Sequence, residues 1–242
     1  MSEVCIISSS GGLDSTTLIY KVLNETKNDI VLVNFNYGQA NLIELKAQEK
    51  IYNILKDGEF KDRIIFRTTL NLQTFDIAGL VNMLDQDKEH DYYTPSRNLL
   101  FSSIIASFGE AVAIRLGYSK VYLGLGLHKH TEMAYGTENK GNSQYWDITP
   151  EFAKRLQTVF DLNDMMDMEI LAPYIDKFKE DIIKDVKKYN VPYKETWTCY
   201  SPVKDGSIYT PCLKCEACVE RDINASLVGV NDINNYKIDI SK

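Results

Sequence analysis

The chain has 242 residues, a formal net charge of −7, and 44% hydrophobic against 25% charged residues. That is the composition of a globular protein with a sizeable core. It lacks the broad basic surface that nucleic-acid binding needs, and no run approaches the length of a membrane span. The first residues hold no basic region followed by an apolar segment of signal-peptide length, so a cytoplasmic protein is expected. In that compartment five cysteines point to metal or chemistry rather than to disulfides.

In chain order, Val4–Ile7 reads as a short buried strand. Ser10-Gly11-Gly12-Leu13-Asp14-Ser15-Thr16 follows, and its serines and paired glycines cannot continue the strand. Leu18, Ile19, Val22 and Leu23 then recur at helical spacing. A strand, a tight glycine turn and a helix start aim backbone N–H groups and the positive helix end at one spot, an anion site suited to phosphate. The glycines leave room for phosphate oxygens, and Ser10, Ser15 and Thr16 add hydroxyls. The motif lacks the lysine of a Walker loop and the third glycine of a dinucleotide fingerprint. Ile30–Phe35 is a second strand that ends in Asn36-Tyr37-Gly38-Gln39. A helix is expected from about Asn41 to Leu55, and a third strand over Arg63–Arg67. This alternation predicts an α/β fold with a parallel sheet covered on both faces. Ligands in such sheets sit beyond the carboxyl ends of the strands, where the phosphate loop and the Tyr37 turn both lie.

Asp85–Asp91 is acidic and polar, hence an exposed loop. Pro95 forbids a helix before it, and Asn98 or Ser96 can cap the next one, Leu99–Leu116, which Gly117 stops. Lys120–Leu125 is a fourth strand. Gly126–Ile148 shows no periodicity and is expected to cover the site. His128 and His130, in a strand-exit loop without a nearby acid, read as polar surface rather than as a second metal site. Pro150 starts a helix at its first position. Glu169–Ala172 is a fifth strand, and Lys177–Tyr189 a further helix. Cys199, Cys212, Cys215 and Cys218 are spaced C-x12-C-x2-C-x2-C. Four such thiolates close around one tetrahedral Zn²⁺, the short steps setting three of them on one tight turn. With no open coordination position the metal is structural. Cys5 reads as a small core residue.

The pattern S-G-G-x-D-S-[ST] resembles the PP-loop of the ATP pyrophosphatases, which split ATP between the α and β phosphates. Phe35–Gln39, Ser96–Phe101, Tyr145–Phe152, Lys179–Ile183 and Thr196–Pro202 with the later cysteines extend the likeness. Nearly the whole chain resembles the 7-cyano-7-deazaguanine synthase family. That resemblance implies a Rossmann-like doubly wound parallel sheet of the PP-loop, adenine nucleotide hydrolase-like kind over residues 1–190. A four-cysteine zinc module over 191–242 packs on it. It implies a carbon–nitrogen ligase that uses ATP, Mg²⁺ and structural Zn²⁺, forms AMP and pyrophosphate, and works as a homodimer on small molecules, without membrane or nucleic acid. Its substrates are 7-carboxy-7-deazaguanine and ammonia, and its product is a nitrile on the route to queuosine.

The same resemblance assigns residues. Ser9, Ser10, Gly11, Gly12, Leu13, Asp14, Ser15, Thr16 and Thr17, with Tyr37 and Gly38, hold the nucleotide. Asp14 either holds Mg²⁺ or simply suits a helix N-terminus. Asp14, Arg97 and Lys179 form the catalytic set. Arg97 and Lys179 are the cations for phosphates or substrate carboxylate, although each also reads as a solvated surface cation. Arg97, Asn98, Tyr145, Asp147 and Glu151 face the substrate. Asp147 and Glu151 pair with guanine-like N–H groups, or Glu151 is only a first-turn acid. Tyr37 or Tyr145 stacks on a base or is simply half-buried. Departures from the family pattern are Ser96 in its Pro-Gly-Arg-Asn, Thr149 in place of an arginine, and His128-Lys129-His130 in place of Asn-Ala-x-Asp. Three other readings stand beside this one: a tRNA-modifying PP-loop enzyme, an enzyme that stops at an amide, and a non-catalytic nucleotide-binding subunit. The first is disfavoured by the committed cysteines and the negative charge.

Overall fold

The computed structural model describes residues 2–37, 43–72, 96–129, 145–230 and 236–240. Gly38, His130, the acidic stretch 85–91 and most of the loop 126–148 lie outside the described residues. Five parallel strands form one sheet: β1 (Glu3–Ser8), β2 (Asp29–Asn36), β3 (Ile64–Asn71), β4 (Lys120–Gly124) and β5 (Asp167–Leu171), in the order β3-β2-β1-β4-β5. Residues alternate across it. Val4 and Ile6 share one core with Val31, Val33, Val121 and Leu123, while Cys5 and Ile7 share the other with Ile30 and Leu32. Burial on both faces is why these strands read as unbroken apolar runs.

On the Cys5 face lie α1 (Leu13–Glu25), α2 (Ile43–Asp57) and α5 (Lys179–Lys188), through Leu18, Ile19, Ile51, Leu55, Ile182 and Ile183. The opposite face is covered by α3 (Arg97–Leu116), with α4 (Pro150–Phe160) reaching it at Phe160. By length and composition α3 could cross a membrane, with a mean hydropathy of 1.6 over its apolar window. This corrects the expectation that no run approaches a span. The apolarity serves packing instead: a Cβ at Gly109 would stand 2.8 Å from Val121 and 2.9 Å from Ile6, so the helix rests directly on the sheet.

Several boundaries differ by one or two residues, and two of the differences have a physical reason. The third strand runs to Asn71, since Arg67 to Asn71 stay in register with Leu32 to Asn36 although Thr68 and Thr69 hide the pattern. The helix expected from Leu99 begins at Arg97, and neither Ser96 nor Asn98 caps it with a side chain. The Asp147 carboxylate, 49 residues away, accepts from the Asn98 N–H at 3.0 Å instead. A C-terminal sheet of β6 (Val203–Asp205), β7 (Ile208–Thr210) and β8 (Ile238–Asp239), and a helix α6 (Glu216–Leu227), were not expected. Trp197, Cys199, Cys218, Tyr236 and Ile238 pack there against Ile43 and Ala47 of α2, and Ala225 of α6 joins the core under α1 and α5.

Ser96 sits at φ 55°, ψ 21°, in the left-handed region. A side chain there costs about 1 kcal/mol, which explains a glycine in the family pattern. Ser96→Gly should raise stability by about 0.5 kcal/mol, net of the freedom glycine adds to the unfolded chain. Ser96→Val should lower it by about 1–2 kcal/mol. Thermal denaturation of the three proteins should rank them Gly, Ser, Val.

Candidate active site

The phosphate loop leaves β1 at the centre of the sheet. The ladder continues through Ser9, whose N–H donates to Val33 O at 2.8 Å while Asn34 Nδ2 donates to Ser9 O at 2.8 Å. Gly11 has φ +81°, and a Cβ there would stand 2.5 Å from Gln48 N and 2.7 Å from Glu44 O. The position therefore admits only glycine. Ser10 Oγ accepts from Gly12 N at 3.1 Å and lies 3.2 Å from Ser15 Oγ, which accepts from Ser10 N at 3.3 Å. This ring sets the loop's shape. Gly12 caps α1 without a side-chain hydrogen bond, so the first turn is left in the state that an oxyanion completes. Thr16 is buried with its hydroxyl unpartnered among the described residues. Leu13 is core, and the Thr17 hydroxyl donates to Leu13 O at 2.7 Å, so these two offer only backbone.

β1, β4 and β5 converge on Asp14, in the first turn of α1. Lys179 Nζ lies 2.6 Å from Asp14 Oδ1 and 2.7 Å from Oδ2, and its side chain is 3% exposed. Lys179 is thus a buried partner and not a surface cation. His128, beyond β4, is buried as well, with Nε2 3.3 Å from Asp14 Oδ2 and Nδ1 2.8 Å from Lys129 O. This corrects the reading of His128 as polar surface: its acid is distant in sequence but adjacent once β4 pairs with β1. Gly126 closes the same corner, where a Cβ would stand 3.1 Å from Ser15 N. Burial alone would raise the Asp14 carboxyl. The Lys179 ammonium and then His128 outweigh it and hold the group well below the usual carboxylate range.

A second group forms at the start of α3. Arg97 Nη1 donates to Tyr37 Oη at 3.1 Å, and the guanidinium lies 5.9 Å from the Tyr37 ring centre. Glu44 of α2 is pushed up to about 7 by burial, with the Arg97 charge opposing. Asp147 is 2% exposed and holds the Asn98 N–H. Arg97, Asn98, Tyr37 and Asp147 are therefore brought together. Tyr145 precedes the turn Trp146–Ile148. Thr149, where the family pattern has arginine, caps α4 by accepting from Phe152 N at 3.1 Å. Glu151 is not brought in: it lies exposed on α4, paired with Arg155 at 2.7 Å.

The sulfurs of Cys199, Cys212, Cys215 and Cys218 all lie within 4.8 Å of one another, and Cys215 to Cys199 is 3.9 Å. Tetrahedral Zn–S bonds of about 2.3 Å place sulfurs about 3.8 Å apart, so the donor set fits such an ion. Cys212 N and Cys215 N each lie 3.2 Å from the preceding ligand's sulfur, where N–H donation favours thiolate. The turn between them holds Leu213 at φ 62°. Cys215 begins α6 and Cys218 lies in its first turn, so the ligands straddle a turn and a helix end. Cys5 is fully buried, and burial pushes its thiol up, as suits a neutral core residue.

The model of the family described as Queuosine biosynthesis protein QueC matches residues 4–226. The chain belongs to this family. It is 30% identical to a 7-cyano-7-deazaguanine synthase of Caldicellulosiruptor bescii, over 97% of this chain and 98% of that protein. A synthase of the same name from Pseudoalteromonas translucida is 28% identical over 91% and 93%, and one from Archaeoglobus fulgidus 29% over 92% and 86%. The QueC match spans both the phosphate loop and the four cysteines.

Lys179→Met would leave the Asp14 carboxylate buried without its nearest cation. The expected loss is about 3 kcal/mol of unfolding free energy at neutral pH. A carboxyl depressed in the fold contributes stability above its unfolded value of about 4 and loses it as pH falls through the folded value. The gap between wild type and variant, measured by denaturant titration, should therefore be widest above pH 4 and narrow below it.

Proposed function

We propose that the chain is an ATP-dependent synthase that converts 7-carboxy-7-deazaguanine and ammonia into 7-cyano-7-deazaguanine. The observation that carries this reading is the buried Lys179–Asp14 pair beside an uncapped glycine loop, in a chain matched along its length by synthases of that name. A carboxylate is a poor electrophile, and transfer of AMP to its oxygen creates a leaving group. Ammonia then displaces AMP to give an amide. A second AMP on the amide oxygen leaves with it, and the nitrile remains.

In this reading the amides of Leu13 to Ser15, the positive end of α1 and the Lys179 ammonium share the charge of the departing pyrophosphate. Mg²⁺ would supply further charge neutralisation there. Lys179 donates to Asp14 Oδ2, while the buried Oδ1 has no hydrogen-bond partner among the described residues, so Asp14 would hold Lys179 and keep one oxygen for Mg²⁺. The Arg97 fork serves the substrate carboxylate, and Tyr37 orients it. Asp147 fixes the helix end from which Arg97 projects. Zn²⁺ at the four cysteines is structural, and residues 191–242 form the module it staples onto residues 1–190, in a cytoplasmic protein.

The test uses substrate labelled with ¹⁸O in both carboxylate oxygens, with ATP, Mg²⁺ and ammonia. Mass spectrometry should find nitrile, two AMP and two pyrophosphates per turnover, each AMP carrying one ¹⁸O. Unlabelled AMP, ADP, or an amide as end product sinks the proposal. Arg97→Met should lower kcat/KM for the carboxylate by about 10–100-fold, the weight of a charged hydrogen bond.

A further inference from the structure

The cysteine centre and the phosphate loop come from opposite ends of the chain, yet a short series of contacts joins them. Arg221 lies three residues after Cys218 on α6, on the same helix face. Its side chain is completely buried. Nη1 donates to Thr198 Oγ1 at 2.7 Å and Nη2 to Tyr193 O at 2.8 Å, and the guanidinium lies 4.5 Å from the Tyr236 ring centre. These bonds grip the segment 193–198 from both ends. Thr196 Oγ1 tightens it by donating to Tyr193 O at 2.6 Å.

Trp197 stands in the middle of that segment. Its N–H donates to Gly11 O at 2.9 Å, and its own carbonyl oxygen lies 3.3 Å from where a Gly12 Cβ would be. Its indole N–H donates to Cys199 O at 2.9 Å, which ties it to the first metal-ligating residue. The two glycines of the phosphate loop therefore rest on the backbone of Trp197. That backbone is anchored to α6 twice, through Cys199 in the thiol cluster and through Arg221. Asp14 also lies within electrostatic reach of the guanidinium and is among the charges that oppose its burial.

We propose that Arg221 is a positioning residue that couples the four-cysteine centre to the phosphate loop, so that a metal held by the cysteines strengthens the grip on the outer phosphates of ATP. The proposal rests on the reading of the loop as the ATP site. A buried guanidinium is weak evidence for stability, since an apolar side chain of like volume commonly packs as well. What the fork supplies is direction: two fixed donors hold Tyr193 and Thr198 at one spacing, which sets where the Trp197 N–H points.

The experiment titrates the metal-loaded protein with α,β-methylene-ATP plus Mg²⁺, and separately with AMP, by calorimetry. AMP has no outer phosphates for the loop to grip. Arg221→Met should keep one metal per chain in a thiol-release assay and bind AMP within about 2-fold of wild type. It should bind the ATP analogue about 10–30-fold more weakly, equivalent to the loss of one to two hydrogen bonds to the loop. Arg221→Lys should fall between them. Thr198→Val, a milder cut in the same contact, should weaken the analogue about 3–5-fold. Stripping the metal from wild type with a chelator should reproduce the selective loss. Equal weakening of both nucleotides overturns the proposal, because it marks a general structural role, and so does unchanged affinity for the analogue. Wild type that binds no analogue at all refutes the ATP-site reading itself, a result distinct from either.

Discussion

A carboxylate taken out of water must be met by positive charge, and Asp14 is met from two directions. Lys179 comes from the start of α5 and His128 from the exit of β4. Lysine is electrostatically misplaced at a helix N-terminus, where the dipole is already positive. Asp14 compensates it, and sits at the start of α1 where an acid is favoured. Two helix starts, an ammonium and a histidine thus crowd one carboxylate. The ammonium offsets the carboxylate, and the positive end of α1 remains at a turn whose N-cap, Gly12, has no side chain to cover it. This balance requires β1 in the middle of the sheet with β4 and then β5 beside it, which is the observed order.

What could be read from the sequence was what is local. The strand, the glycine turn and the amphipathic helix span about twenty residues, and their periodicities are unambiguous. Lys179 was harder, because Lys184, Lys187 and Lys188 share its helix and only burial separates it from them. His128 reads as unpartnered because its acid opens the helix after β1, which adjoins the exit of β4 only once the two strands pair. Asp147 was assigned to a ligand, while its carboxylate caps α3 from a distant turn. Helix α6 was hidden because its polar face and its cysteines serve a side-chain cluster, so no clean apolar stripe marks it.

The departures from the family pattern separate into strain and reassignment. Ser96 retains a left-handed backbone that suits glycine, so the local fold over-determines that conformation against the preference of the residue. At Thr149 the substituted side chain has a different task, closing the first turn of α4 with Pro150 behind it. Neither change alters the convergence of Arg97, Tyr37 and Asp147. The charge that an arginine would have brought to residue 149 is absent, and Arg97 is the cation that stands with Tyr37 at the start of α3.

The C-terminal part is too small to be rigid by itself. Its sheet has strands of three, three and two residues, and its core holds few buried side chains. Segments of that size need a staple, and the four clustered thiols are placed to provide one by holding a metal ion. The glycine loop rests on this part, and that contact is where its rigidity acts. Gly12 is held by Ser10, Ser15 and the first turn of α1, whereas the Gly11 carbonyl takes its bond from a distant backbone. Trp197 supplies that backbone. A flexible segment in its place would let the Gly11 peptide rotate, and the amides that follow it at the start of α1 would lose their common aim.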